Sequence, residues 1–80
     1  MAAESGHVVA QSELGSLYVN GIGILQNFVR GYMWLNIAAY RGDLSAADKR
    51  SRLVDQMSLK QKEKGMEISE TCLEKLFKEC

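Results

Sequence analysis

The chain has 80 residues, ten basic and ten acidic side chains, and a formal net charge of zero. This length holds one domain, near the size at which a single hydrophobic core is only just sufficient. The apolar fraction of 46% and the charged fraction of 25% are typical of a globular protein. The balanced charge does not indicate binding to nucleic acid or to an anionic membrane surface.

Charged residues are concentrated in the second half of the chain. Residues 1–42 carry four of them and residues 43–80 carry sixteen, so we expect a buried first half and a solvated second half. No apolar run is long enough to cross a bilayer, and the first nine residues lack the basic and apolar regions of a secretion signal. We therefore expect no membrane insertion. The location stays open: the chain as given would be cytoplasmic, whereas a longer parent protein could be exported.

The stretch LYVNGIGI, residues 17–24, contains Asn-Gly between β-branched and aromatic residues, a typical β-hairpin signal. Apolar residues on both sides nevertheless follow a helical spacing: Ala10, Leu14, Leu17 and Tyr18 before it, and Phe28, Tyr32, Leu35, Ala38 and Ala39 after it. The pattern therefore predicts two helices, near residues 7–19 and 28–41, joined by an irregular loop at 20–27. Asn20 or Gly21 would end the first helix in the left-handed conformation, and Asn27 would cap the second.

Helix-capping signals predict two more helices in the second half. Gly42 ends the second helix, and Asp43 is placed to cap a third near residues 44–57. Ser58 and Gln61 form a capping box that begins a fourth helix near residues 59–78. Gly65 in its interior costs about 1 kcal/mol, so tertiary packing must hold this helix. The prediction is an all-α fold of about four helices.

Cys72 and Cys80 are the only cysteines. On one continuous helix their separation would be about 12 Å, which is too far for a disulfide bond. We therefore interpret them as two small apolar packing residues, with an intermolecular bridge through Cys80 as the alternative.

The chain shows a short internal repeat. Residues 2–6 (AAESG) and residues 38–42 (AAYRG) share three identical positions at an offset of 36 residues. A period of this length, built from two helices, is typical of α-solenoids, in which each unit buries its apolar face only against its neighbours.

Residues 7–42 resemble a Sel-one-like repeat, a relative of the tetratricopeptide repeat. The resemblance rests on a two-glycine loop and an Ala-Ala…Gly ending, within a helical apolar pattern. The matching positions are Ala10, Leu14, Gly15, Tyr18, Gly21, Gly23, Tyr32, Trp34, Ala38, Ala39 and Gly42. The chain departs from the pattern at Leu25, Asn27 and Gly31, where proline, aspartate and alanine are common.

This resemblance implies an α-α superhelix, or solenoid, of antiparallel helix pairs. Residues 1–6 would be the remnant of a preceding repeat and residues 7–42 one complete unit. Residues 43–80 would be a partial repeat helix followed by a charged C-terminal capping helix, as found after such arrays in bacterial members. The family implies a non-catalytic adaptor that binds another protein or peptide. The alternative is a regulatory subunit or fragment of a larger protein whose catalytic part lies outside this chain.

Few residues offer chemistry of their own. A solvated position is expected for His7, the single histidine, and no Cys/His cluster has the convergent ligands of a metal site. Gly21-Ile22-Gly23 follows a helix and is too short for a dinucleotide fingerprint. Interleaved glutamates make Lys60, Lys62 and Lys64 part of a solvated face. We therefore predict no enzyme activity and no catalytic, cofactor-binding or metal-binding residues.

Two surfaces are candidates for protein contacts. The side of the first helix away from Leu14 is expected to present small and polar residues to a partner segment: Val9, Ser12, Glu13 and Ser16. A second face, which includes Val8, Leu14 or Leu17 and part of residues 32–37, would be left open at the N-terminal end of the unit. An open apolar face of this kind predicts self-association, most simply as a homodimer.

Overall fold

The computed structural model describes residues 7–77 and residue 80 and contains four α-helices. They are α1 (Val8–Asn20), α2 (Phe28–Tyr40), α3 (Leu44–Val54) and α4 (Leu59–Glu74). The described residues include no β-strand, and the LYVNGIGI stretch joins two helices. The all-α prediction is therefore confirmed. The expected remnant of a preceding repeat, residues 1–6, lies outside the described residues.

The helix α2 is the centre of the fold. It packs against α1, α3 and α4, whereas α1 touches α3 only slightly. The helices α3 and α4 are consecutive in the chain but have little contact with each other. Residues 31–35 of α2 are consequently all buried. The last two helices are thus held together mainly through α2.

The predicted capping residues make the expected hydrogen bonds. The side-chain oxygens of Asn27 and Asp43 each accept from the backbone N–H three residues later, at 3.0 Å. In the capping box, Ser58 Oγ accepts from the Gln61 N–H at 3.1 Å, and Gln61 Oε1 accepts from the Ser58 N–H at 2.8 Å. Gly21 ends α1 with a left-handed φ of 67°. Local signals therefore predicted where three of the four helices begin.

Two glycines allow α1 and α2 to approach closely. A Cβ atom on Gly31 would lie 2.7 Å from Val19 Cγ2 and 3.1 Å from the carbonyl oxygen of Gly15. A Cβ atom on Gly15 would lie 2.8 Å from Leu35 Cγ and 3.1 Å from the Gly31 carbonyl oxygen. The packing therefore explains why glycine stands at position 31, where the Sel-one-like pattern prefers alanine.

Gly65 has the same effect between α2 and α4. A Cβ atom at this position would lie 2.6 Å from Cδ1 of the Tyr32 ring. The intrinsic cost of glycine within α4 is thus offset by the close packing of an aromatic ring against the helix backbone. Tyr32 and Trp34 are buried and Tyr18 is half-buried, as expected for core aromatics.

Two clusters of buried side chains form the interior. The first, which we call the α4-side cluster, consists of Leu14, Met33, Trp34, Ile37 and Cys72. The second, the α3-side cluster, consists of Tyr32, Leu35, Ala38, Ala46, Leu53 and Met57. The helix α2 contributes three residues to each cluster, so this one helix takes part in both halves of the core.

The helices α3 and α4 end earlier than the sequence pattern predicted, at Val54 and Glu74 rather than residues 57 and 78. Beyond α4, Leu76 and Phe77 have positive φ angles of 53° and 69°. The Phe77 N–H donates to the Cys72 carbonyl at 2.9 Å and the Leu76 N–H to the Leu73 carbonyl at 3.1 Å, the Schellman arrangement. The chain therefore turns back after α4 instead of continuing as a helix.

This reversal overturns the interpretation of the cysteines. Cys72 and Cys80 form an intramolecular disulfide bond with their Cα atoms 5.5 Å apart. The separation of about 12 Å expected for a continuous helix does not apply, because the helix ends between the two residues. Neither cysteine is therefore a free packing residue or available for an intermolecular bridge in this state.

The face expected to be open is largely closed. Leu14, Tyr32, Trp34 and Ile37 are all buried in the single chain. Ile68 and Leu73 of α4, together with Phe77 and Cys80, pack against the α4-side cluster. The sequence pattern did not predict this cover, because it placed residues 75–78 on a straight helix.

Candidate interaction surface

A cleft of about 270 Å³ lies between α1 and α3, above the buried α2. Its apolar lining comes from Val19, Leu35 and Leu53, one from each of the three helices. Its polar lining residues are Ser16, Asn20, Lys49, Arg52 and Gln56. The volume is just below the range of typical small-molecule pockets, so the cleft suits one or two side chains of a larger partner.

The rim of the cleft is basic. Lys49 and Arg52 are its only charged lining residues, and both come from α3. Arg52 pairs with Asp48 one turn earlier, but both side chains are well exposed, at 75% and 60%. An exposed pair of this kind is weak, so Arg52 can exchange it for a carboxylate on a partner at little cost.

The four residues predicted to bind a partner do not form one exposed face. Val9, 66% exposed, and Glu13 lie on the outer surface of α1. Ser16 is half-buried and lines the cleft, and its hydroxyl donates to the Ser12 carbonyl at 3.2 Å.

Ser12 is the exception to the predicted surface. It is only 4% exposed, so the expectation that it lies on the surface is wrong. It lies one helical turn before Ser16, which lines the cleft, so neighbouring helices cover this part of α1.

Sequence reasoning missed the contribution of α3 to this surface. The repeat offset of 36 residues relates Ser16 to Arg52 and Glu13 to Lys49. Applied to the predicted face of α1, the same offset would have pointed to the two basic residues of the rim.

The other features considered in the sequence were metal ligands, membrane-spanning segments and the single histidine. Within residues 7–77 and residue 80, no group of three or more His, Cys, Asp or Glu side chains could hold a metal ion. No helix in the described part of the chain is long and apolar enough to cross a membrane. His7 is exposed at the start of α1, without a capping hydrogen bond from its side chain.

No protein-family model, curated protein or solved structure matches this chain.

Proposed function

We propose that this protein is a non-catalytic protein-interaction module of the Sel-one-like repeat type, and that the cleft between α1 and α3 receives a segment of a partner protein. In this proposal residues 7–42 form one repeat unit. The helix α3 is the first helix of the next unit, and α4 closes the stack as a capping helix. The cleft then lies between the first helices of two successive units.

The observation that carries the proposal is the combination of an apolar floor with a basic rim. Leu35 and Leu53 lie at the base of the cleft between the two helices, beneath Lys49 and Arg52. A small apolar recess can hold one aliphatic side chain, and the two cations favour a carboxylate beside it. The proposed occupant is an extended peptide segment with an aliphatic residue flanked by Asp or Glu.

Local packing supports the proposal that residues 7–42 form one repeat unit and that α4 is a cap. Gly15 and Gly31 bring α1 and α2 together as a close antiparallel pair, and Gly21 and Gly23 both adopt positive φ angles in the connecting loop. These are the positions where the repeat pattern places glycine or a small residue. The sparse contact between α3 and α4 suits a terminal cap, in which the last helix packs mainly on the preceding unit.

The test is binding of a fluorescent peptide library in which a central leucine has acidic, neutral or basic neighbours, measured by anisotropy. We expect acidic peptides to bind best, with an affinity that falls as salt is raised. The double variant Lys49→Glu, Arg52→Glu should reverse this preference. The matched control, Lys60→Glu with Lys62→Glu on α4, should leave it unchanged. Equal binding of all three peptide classes would contradict the proposal. An unchanged preference in the Lys49→Glu, Arg52→Glu variant would contradict it as well.

A further inference from the structure

Two residues that follow α4, Phe77 and Cys80, pack against the core. Phe77 and Cys80, which we call the C-terminal clasp, both pack against the α4-side cluster of Leu14, Met33, Trp34, Ile37 and Cys72. The disulfide bond joins Cys80 to this cluster through Cys72, which is 2% exposed. The clasp therefore covers apolar side chains of α2 that the α1–α2 pair alone would leave accessible.

Two arginines, Arg30 of α2 and Arg41 directly after its end, contact the clasp. The Arg41 guanidinium lies 4.8 Å from the centroid of the Phe77 ring, a cation–π contact. Arg30 donates a hydrogen bond to the backbone oxygen of Cys80, and its guanidinium lies 5.5 Å from the Tyr18 ring. Both arginines can make these contacts only while the clasp lies close to them.

The backbone that leads into the clasp is unfavourable without external support. Leu76 and Phe77 are the only described residues other than glycine with positive φ, and a residue with a Cβ atom adopts that conformation at an energetic cost. Leu76 is also 71% exposed, so its own side chain contributes little packing. Such a conformation persists only where the surrounding structure enforces it. Here two backbone hydrogen bonds hold the turn locally, and the disulfide bond is the covalent constraint on the residues that follow it.

The α4-side cluster also contains a polar group that would be more stable in contact with water. Among the described residues, Trp34 Nε1 is buried without a hydrogen-bond partner in the protein. A buried donor of this kind is costly, so access of water to the indole would recover part of the cost of opening the cluster.

From these observations we infer that the Cys72–Cys80 disulfide is a redox-controlled lock on the C-terminal clasp. In the oxidised protein the clasp covers the α4-side cluster. In the reduced protein Phe77 and Cys80 leave it, and the Trp34 side of α2 becomes accessible. The lock is separate from the cleft between α1 and α3 and does not depend on the proposed peptide binding.

The reductant in this inference is a dithiol. Its thiolate attacks Cys80 Sγ, because Cys80 is half-buried whereas Cys72 is almost completely buried. The Cys72–Cys80 bond breaks, and Cys72 leaves as a thiolate that takes a proton from water. The second thiol of the reductant then displaces Cys80 and closes the reductant's own disulfide. Two electrons pass to the protein, and both cysteines end as thiols.

The first test compares the oxidised and dithiothreitol-reduced protein by hydrogen exchange and by acrylamide quenching of Trp34, the only tryptophan. We expect reduction to red-shift Trp34 emission, increase its quenching and lower exchange protection around the α4-side cluster. Protection of α3 near Ala46 and Leu53 should persist. The variant Cys80→Ser should show the reduced pattern in both conditions, and Leu76→Ala should keep the wild-type response to reduction.

The possible outcomes separate clearly. Unchanged protection and emission after reduction would show that the clasp stays in place without the bond, which overturns the inference. Loss of protection throughout the molecule, α3 included, would make the disulfide a general structural support and would overturn it as well. Two free thiols in the air-oxidised protein would have the same consequence. Peptide binding at the cleft, assayed in parallel, reports on the separate functional proposal.

The second test identifies the sulfur that is attacked. Brief treatment with a limiting monothiol such as glutathione should place the mixed disulfide on Cys80, as determined by peptide mass spectrometry. A mixed disulfide mainly on Cys72 would contradict the proposed order of exposure, because it would require the buried sulfur to be reached first.

Discussion

The close approach of α1 and α2 makes Gly31→Ala a sensitive test of the fold. Within a helix, alanine is intrinsically more favourable than glycine by about 1 kcal/mol. Against this gain, the new Cβ atom would lie 2.7 Å from Val19 Cγ2 and 3.1 Å from the Gly15 carbonyl oxygen. The valine is β-branched and has essentially one rotamer in a helix, and the carbonyl belongs to the backbone, so neither can move away easily.

Overpacking of this kind costs about 1–3 kcal/mol, which exceeds the propensity gain. We therefore expect Gly31→Ala to lower the free energy of unfolding by about 1 kcal/mol, the difference between these two effects. For a domain of this size the urea midpoint should fall by about 1 M. The measurement is urea denaturation followed by far-ultraviolet circular dichroism, with the disulfide kept oxidised throughout.

A double-mutant cycle with Val19→Ala isolates the cause. Truncation at position 19 removes Cγ2, so Gly31→Ala should be less destabilising in that background, or even stabilising. A coupling energy of at least about 0.5 kcal/mol is expected for side chains in contact. If Gly31→Ala raised stability by the full propensity difference in the wild-type background, the helices would not cross at Gly15 and Gly31 as described.

Three further predictions use the same denaturation assay. Gly21→Val should lower the free energy of unfolding by more than about 1 kcal/mol. Position 21 has a left-handed backbone, and a Cβ atom there would lie 3.2 Å from Gln26 Cβ. Gly23→Val, with open space around position 23, should cost less, and equal losses would contradict this ranking. Leu76→Gly should raise stability by up to about 1 kcal/mol by relieving a positive φ, and a clear loss would show that its side chain matters. Asp43→Ala should lower the free energy of unfolding by about 1 kcal/mol, because it removes the capping hydrogen bond at the start of α3. An unchanged free energy of unfolding would mean that the cap is dispensable.

The features that the sequence predicted well are those with local causes. Asn27, Asp43 and Ser58 act as caps because a short side chain reaches the backbone N–H of the following turn, and only a few neighbouring residues take part. The two-glycine loop was predictable for the same reason. Helix type and order follow from such signals, together with the helical spacing of the apolar residues.

The end of α4 was not predictable in this way. Leu76 takes the left-handed position that Gly21 and Gly42 occupy after α1 and α2, and leucine carries no local signal for it. The turn depends on the Cys72–Cys80 bond and on packing of Phe77 against the α4-side cluster, whose members include Leu14 and Trp34, far away in the sequence. Tertiary contacts therefore override the helical pattern here.

The candidate surface was predicted in part. Ser16 was identified on α1, but Ser12 is buried, and the basic rim comes from Lys49 and Arg52. A helical pattern shows which residues share a face, but it does not show how far a neighbouring helix covers that face. That information depends on how the neighbouring helices pack, which the apolar spacing of one helix does not reveal.

The central position of α2 has a consequence for how the chain can be divided. The helices α3 and α4 meet mainly through α2, so a fragment that begins at Asp43 would contain two amphipathic helices with almost nothing to bury against. The complementary fragment ending at Gly42 would expose the α2 side chains that both helices cover. Neither half should fold alone. Mixed in equal amounts, however, the two should recover helical structure, since each supplies the surface that the other lacks.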